Sequence, residues 1–143
     1  AVKISDIMTA NVISISKDES VAAAARLLRR YNVGALPVTD RDMRLRGIVT
    51  DRDIATRCVA ADADPKTTKV GEIMSRGIIT ASPGDTVGSA VRSMSSDQVR
   101  RLPVIDDGRV VGMVTLCDMA RARSCEMEAA EALAEISTNI RRR

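Results

Sequence analysis

The sequence predicts a mixed α/β (α+β) fold: two pseudosymmetric βαββα repeats packed together, with a C-terminal helix after the second. Three observations predict it. The chain is duplicated: Lys3, Ile7, Met8, Val21, Ala24, Leu36, Pro37, Val38 and Asp40 meet Lys69, Ile73, Met74, Val87, Ala90, Leu102, Pro103, Val104 and Asp106 at an offset of 66, and Gly47, Val49, Thr50 and Asp53 meet Gly112, Val114, Thr115 and Asp118 at 65. Each copy alternates a helix-spaced apolar stripe with short β-branched runs bounded by turn residues. The 143 residues are 45% hydrophobic yet include no Phe, no Trp and one Tyr, so Val, Ile, Leu, Met and Ala must build the core. That composition suits strands packed against Ala-rich helices. Repeats this short are halves of one core, and their duplication implies paired, equivalent clefts at the seam.

Repeat one is expected over residues 1–59, a linker over 60–68, repeat two over 69–123, and a C-terminal helix with a basic tail over 124–143. Each repeat opens on a short lead, Ile4 to Met8 and Val70 to Met74, followed by a strand, Val12 to Ser16 and Ile78 to Ala81. The first long helix starts at a capping hydroxyl, Ser20 or Thr86, and carries the stripe Val21, Ala24, Ala25 and Leu28, or Val87, Ala90, Val91 and Met94. Ala35 to Thr39 and Arg101 to Ile105 read as strands whose proline favours an edge or a strand start. A turn, Asp40 to Arg44 or the tighter Asp106-Asp107-Gly108, leads to the hairpin partners Leu45 to Val49 and Val110 to Val114, and a second helix closes each repeat. The stretch Ala60 to Thr68 is small, polar and Pro-containing, a linker by composition. Beyond repeat two, Ala129, Leu133, Ile136 and Ile140 fall at helical spacing. So short a stripe must pack back on the domain or meet a partner subunit.

Twenty-two basic and 19 acidic residues give a net charge of +3, mostly interleaved, so nucleic-acid binding is not expected. Arginines cluster at Arg41, Arg44 and Arg46, at Arg100 and Arg101, and at Arg141 to Arg143, where either an anion partner or a solvated surface accounts for them. Cys58, Cys117 and Cys125 form no CxxC pair, and no His is present to complete a zinc site or a Cys/His nucleophile pair. No catalytic residue and no metal site are expected, and the chain does not read as an enzyme. No apolar stretch reaches membrane-spanning length and no signal peptide opens the sequence, so the expected setting is a reducing cytoplasm without membrane contact.

The sharpest local pattern is Gly47-Ile48-Val49-Thr50-Asp51-Arg52-Asp53, repeated as Gly112-Met113-Val114-Thr115-Leu116-Cys117-Asp118. Both end a strand and open a helix. Thr-x-x-Asp is the spacing of a capping box, in which hydroxyl and carboxylate satisfy amides of the first turn. The same groups can also receive a ligand, because amides and a hydroxyl at a helix start favour phosphate and a carboxylate can accept both hydrogen bonds of a ribose diol. Both readings stand on the spacing alone.

The doubled pattern of Asp-Ile-Met lead, Leu-Pro-Val-x-Asp and Gly-x-Val-Thr-x-x-Asp resembles a tandem pair of CBS (cystathionine β-synthase) domains, a Bateman module, from Ile4 to about Arg123. The resemblance implies a regulatory module that needs no cofactor and binds adenosine ligands such as AMP, ADP, ATP or S-adenosylmethionine in two clefts between the repeats. It implies that Asp53 and Asp118 hold ribose hydroxyls, that Thr50 and Thr115 contact ribose or phosphate, and that Ile48 and Met113 of the same motifs line the ligand. It implies further that the Asp53 cleft receives Ile79, Arg100 and Arg101 from the other repeat, and that the Asp118 cleft receives Ile13 with Gly34 and Ala35. Only the first of these would be cationic. The longer strings Asn32 to Val38 and Thr50 to Ala55 are similar to small stand-alone bacterial members, some of them stress-associated. A homodimer is expected, built from the helices after the motifs around Ile54, Cys58, Met119 and Ala122 with the C-terminal helix across or beside it, and a downstream protein partner of unknown identity. The alternatives are a structural or protein-interaction module without nucleotide, and a monomer whose tail helix folds back on its own core.

Overall fold

The computed structural model describes residues 2–122 and 126–142. Cys125 and Arg143, and the side chains of Ala129, Ile140, Arg141 and Arg142, lie outside what is described. The elements in order are α1 (Ile4–Ile7), α2 (Val21–Tyr31), β1 (Ala35–Thr39), β2 (Leu45–Thr50), α3 (Asp51–Asp53) running into a π-helical stretch Ile54–Val59, α4 (Val70–Ile73), α5 (Val87–Asp97), β3 (Arg101–Asp106), β4 (Arg109–Thr115), α6 (Leu116–Arg121) and α7 (Glu126–Arg142). They gather into two compact units. The first unit is Ile13–Ile78 with Gly108–Val110, and the second holds the stretch up to Val12, Ile79–Asp107 and the stretch from Val111 onward.

In the first unit, Ser20 caps α2 by accepting from Ala23 N at 3.1 Å, and the helix ends at Asn32, which adopts φ 52°. Asn tolerates that left-handed conformation, so it stops the helix without a glycine. Strands β1 and β2 pair antiparallel, Ala35 against Thr50 through Val38 against Gly47, with an irregularity before Thr39. The strand expected over Val12 to Ser16 is reduced to one residue, since only Ile15 bridges to Val38, donating to Pro37 O at 3.1 Å and accepting from Thr39 N at 3.0 Å. A residue's N–H and C=O point to the same side of a strand, so the N–H that Pro37 lacks falls on the Ile15 side. Extended pairing stops there, while β1–β2 is untouched. Val21, Ala24, Leu28, Leu36, Val38 and Val49 form the core with Cys58, Val70, Ile73 and Met74. The stretch read as a linker is held in place: Pro65 O accepts from Ala22 N at 2.8 Å and Thr68 O from Val21 N at 2.9 Å, satisfying amides at the start of α2.

The second unit repeats this plan. Thr86 caps α5 at 3.1 Å from Ser89 N, Gln98 ends it at φ 60°, and Ala81 alone bridges to Val104. The core joins Val87, Ala90, Val91, Met94, Leu102, Val104 and Val114 with Ile4, Leu116, Met119 and Ala132. Ala132 shows that α7 packs back on this unit, against α5 and α6. The buried side of α7 is Ala132 and Ile136, whereas Leu133, expected on that stripe, is 43% exposed.

Each lead therefore fills the unit of the other copy. Met8 lies over Gly112, where an added Cβ would sit 2.6 Å from Met8 Sδ, and Met74 lies over Gly47, where it would sit 2.8 Å from Met74 Sδ and 2.7 Å from Ser75 O. The leads also bridge the strands: Thr9 exchanges hydrogen bonds with Met113 at 2.9 and 3.0 Å, and Ser75 with Ile48 at 2.8 and 3.0 Å. The motif glycines and the lead methionines are thus two sides of one contact.

Candidate functional site

The Thr-x-x-Asp turns fold alike. Thr50 Oγ1 accepts from Asp53 N at 3.0 Å while Asp53 Oδ2 accepts from Thr50 N at 3.0 Å. In the second unit the distances are 3.1 Å for Asp118 N to Thr115 Oγ1 and 2.8 Å for Thr115 N to Asp118 Oδ2. Both are reciprocal capping boxes, which closes strand to helix without a loop residue. The boxes do not exhaust the carboxylates. An ionised carboxylate offers about four lone-pair sites, and the box takes one. The other oxygen faces an arginine of the next turn, Arg57 at 3.8 Å from Asp53 and Arg121 at 2.5 Å from Asp118. Asp53 is 8% exposed and Asp118 half-buried, so both keep acceptor capacity in partly desolvated positions.

The amides at the two helix starts differ. In the first unit Asp51 N donates to Gly34 O at 3.0 Å, Arg52 N to the Asp51 carboxylate at 2.8 Å, and Asp53 N to Thr50. All three are engaged, so phosphate binding by exposed amides is not available there. In the second unit Leu116 N donates to Arg100 O at 2.8 Å, and Leu116 replaces the carboxylate of Asp51.

That Leu116–Arg100 bond positions the arginine pair. Arg100 and Arg101 share a pocket of about 520 Å³ with Thr115, Leu116 and Cys117, closed on one side by Ala130 and Leu133 of α7. Arg101 Nη1 is buried without a hydrogen-bond partner among the described residues. An unpartnered guanidinium nitrogen costs free energy unless something accepts from it. Within the second unit Arg100 and Arg101 stand beside Thr115. Of the remaining expected residues, Ile13 and Ile79 pack against the cores of the first and second units respectively, Ile48 is buried against the Ser75 bridge, and Met113 is half-buried. Sequence reading missed the role of α7 in this pocket. Ala130 and Leu133 stand three apart, the spacing of one helix face, and that was the available signal.

Around the expected dimer helices, Cys58 and Met119 are fully enclosed by their own units. Neither side chain is available to a second copy, because both fill cores that the small repeats cannot otherwise complete. Among the described residues no helix is long and apolar enough to cross a membrane.

A model of the CBS domain matches residues 4–60 and 70–124. The CBS domain-containing protein YhcV of Bacillus subtilis (strain 168) is 37% identical over 94% of this chain and 94% of its own length. Hypoxic response protein 1 of Mycobacterium tuberculosis is 40% identical over 81% of each. Among solved structures, the CBS domain pair of protein MJ0100 in complex with 5′-methylthioadenosine and S-adenosyl-L-methionine superposes with a TM-score of 0.78 at 33% identity, covering 86% of this chain and 96% of that one.

Proposed function

The chain belongs to the CBS-domain family, as a tandem pair, and from that premise we propose that it is a regulatory sensor, not an enzyme, that binds an adenosine compound through its Thr-x-x-Asp turns. The observation that carries the reading is that Arg101, whose Nη1 is buried and unpartnered among the described residues, lines one pocket with Arg100 and with Thr115, the hydroxyl member of the second box. Two guanidinium groups beside a hydroxyl whose capping-box partner is a carboxylate complement a phosphate attached to a ribose. The adenosine ligands of the MJ0100 domain pair support the same class. In this reading Asp118 accepts from ribose hydroxyls, Thr115 and Met113 line the sugar and base, Ile79 adds apolar surface, and Arg100 and Arg101 meet phosphate. The first unit contributes Asp53, Thr50, Ile48 and Ile13 in the same roles without arginines from its own strand start, where Gly34 and Ala35 stand. AMP, ADP and ATP fit this better than S-adenosylmethionine, which carries no phosphate.

The sensor acts as a cytoplasmic homodimer that hands ligand state to a protein partner, and the likeness to a hypoxic response protein supports a stress-linked setting. Thermal unfolding with AMP, ADP, ATP, S-adenosylmethionine and adenosine tests the ligand. A ligand bound only by the native state adds RT ln(1 + [L]/Kd), about 2.7 kcal/mol at a hundred times Kd. No shift with any of the five refutes the reading in favour of a ligand-free interaction module. Light scattering at micromolar concentration tests the assembly, and a monomer refutes it.

A further inference from the structure

One arginine cluster has no part in the adenosine reading. Arg41 and Arg46 lie at the turn end of the β1–β2 hairpin, where Thr39 pairs with Leu45, the end opposite Thr50. They line a pocket of about 730 Å³ in the first unit together with Lys17 and Arg76. Two carboxylates, Asp18 and Asp40, also line it, but Asp40 is already committed. Its Oδ1 accepts from the amides of Asp42 and Arg44 at 2.9 and 3.1 Å, and its Oδ2 pairs with Arg46 at 2.9 Å. The pocket therefore keeps an excess of positive charge.

Its wall carries hydroxyls without a strong acceptor. Ser14 and Thr39 both aim at Met43 Sδ, at 3.9 and 4.0 Å, and Thr39 is only 6% exposed. Thioether sulfur is a weak acceptor, so both hydroxyls can turn to an anionic oxygen. Met43 holds φ 62°, and the aligned residue of repeat two is Gly108 at φ 76°. Where one copy uses the residue suited to that backbone, the other holds a long side chain there under strain and sets its sulfur against the two hydroxyls.

The duplication supplies the comparison that separates fold from ligand. Lys17, Arg41, Arg46 and Arg76 align with Pro83, Asp107, Val111 and Ala10, so none of the four cations recurs. The second unit builds the same hairpin and bridge with neutral or acidic residues in those places, and the fold does not require the charge. We propose that this pocket binds a small polyanion bearing two or more phosphate or carboxylate groups, at a site separate from both Thr-x-x-Asp turns. One phosphate occupies one or two guanidinium forks, whereas Lys17, Arg41 and Arg76, the cations left once Arg46 pairs with Asp40, suit two linked anionic groups.

The probes are pyrophosphate and citrate, titrated calorimetrically into the intact protein. A saturable site is expected for at least one of them, and which one binds assigns phosphate or carboxylate chemistry. Arg41→Ala with Arg76→Ala should weaken it at least about tenfold, and Thr39→Val should weaken it by a smaller factor. Arg41 and Arg76 are exposed, so their replacement leaves the core intact, and an unchanged melting temperature checks this. Arg100→Ala with Arg101→Ala should leave the site as it was, which separates it from the adenosine reading. The proposal is overturned if neither probe saturates by about 10 mM, if the Arg41/Arg76 variant binds like the parent, or if the Arg100/Arg101 variant alone abolishes binding.

Discussion

Replacing Asp53 in two different ways separates its structural role from its proposed role in binding. In Asp53→Ala the acceptor for Thr50 N at 3.0 Å disappears, leaving a half-buried amide unsatisfied. A hydrogen bond to a charged group is worth about 1.5–3 kcal/mol. The pair with Arg57, at 3.8 Å and with the arginine side chain 52% exposed, adds little after solvent screening. The sum is about 2 kcal/mol, roughly 4–8 °C in melting temperature for a chain of this size. Asp53→Asn keeps an oxygen where the box needs it, so its stability loss should stay under about 1 kcal/mol. It nevertheless loses the charge and half the acceptor sites through which a ribose diol would be held, so the affinity of the first unit's site for an adenosine ligand should fall about tenfold or more in both variants. Scanning calorimetry reads the first effect and isothermal titration the second. If Asp53→Asn binds like the parent protein, Asp53 is a cap and nothing else, and its ribose role is wrong.

Three further outcomes are expected. Arg100→Ala with Arg101→Ala should lower affinity for AMP or ATP by at least about tenfold more than for adenosine, with a flatter salt dependence; equal losses for nucleotide and nucleoside would remove phosphate from the pocket. Gly47→Ala should destabilise by about 1–3 kcal/mol and by more than Gly112→Ala in chemical denaturation. The nearest atom to the new Cβ is a backbone carbonyl at 2.7 Å in the first case and a flexible thioether at 2.6 Å in the second; the reverse order would mean the leads do not pack as described. Asp40 gives a pH signature. Desolvation pulls its pKa up, but the amides of Arg44 and Asp42 and the Arg46 guanidinium outweigh that and hold it below its ordinary value of 3.8. A depressed carboxylate stabilises the fold above its unfolded pKa, and that contribution is lost as pH falls through the folded value. Asp40→Asn should therefore narrow its stability gap to the parent protein as pH drops below about 4, and a gap that is constant with pH would refute the shift.

Much of this architecture is legible in the chain. The offset of the duplication exposes the repeat, the helical stripes Val21, Ala24, Leu28 and Val87, Ala90, Val91, Met94 are the buried faces, and Thr-x-x-Asp forms the box its spacing implies. What escapes is non-local. Nothing in Val12 to Ser16 says that its ladder stops at Ile15, because the missing donor belongs to Pro37, more than 20 residues away. Helical spacing is compatible with either Leu133 or Ala132 facing inward, and the choice falls to the small residue because α7 approaches α5 and α6 closely. The pocket at Arg101 is likewise a product of α6 and α7 meeting beside the start of β3, which charge counting cannot reveal.

The exchanged leads bear on how such a chain comes to exist at all. A polypeptide of one repeat would carry an Ile-Met lead with no place in its own body and a motif glycine with no methionine to receive. It could complete itself only by trading leads with a second molecule, as a domain-swapped pair. Joining two repeats in one chain makes that trade internal and raises the local concentration of each lead to whatever the connecting segment allows. The cost falls on folding: Ile4 must find Asp85, some 80 residues along the chain, before the second unit closes. Contacts so distant in sequence slow folding, and the second unit, which joins the stretch up to Val12 to residues beyond Ile79, cannot finish until both have been made.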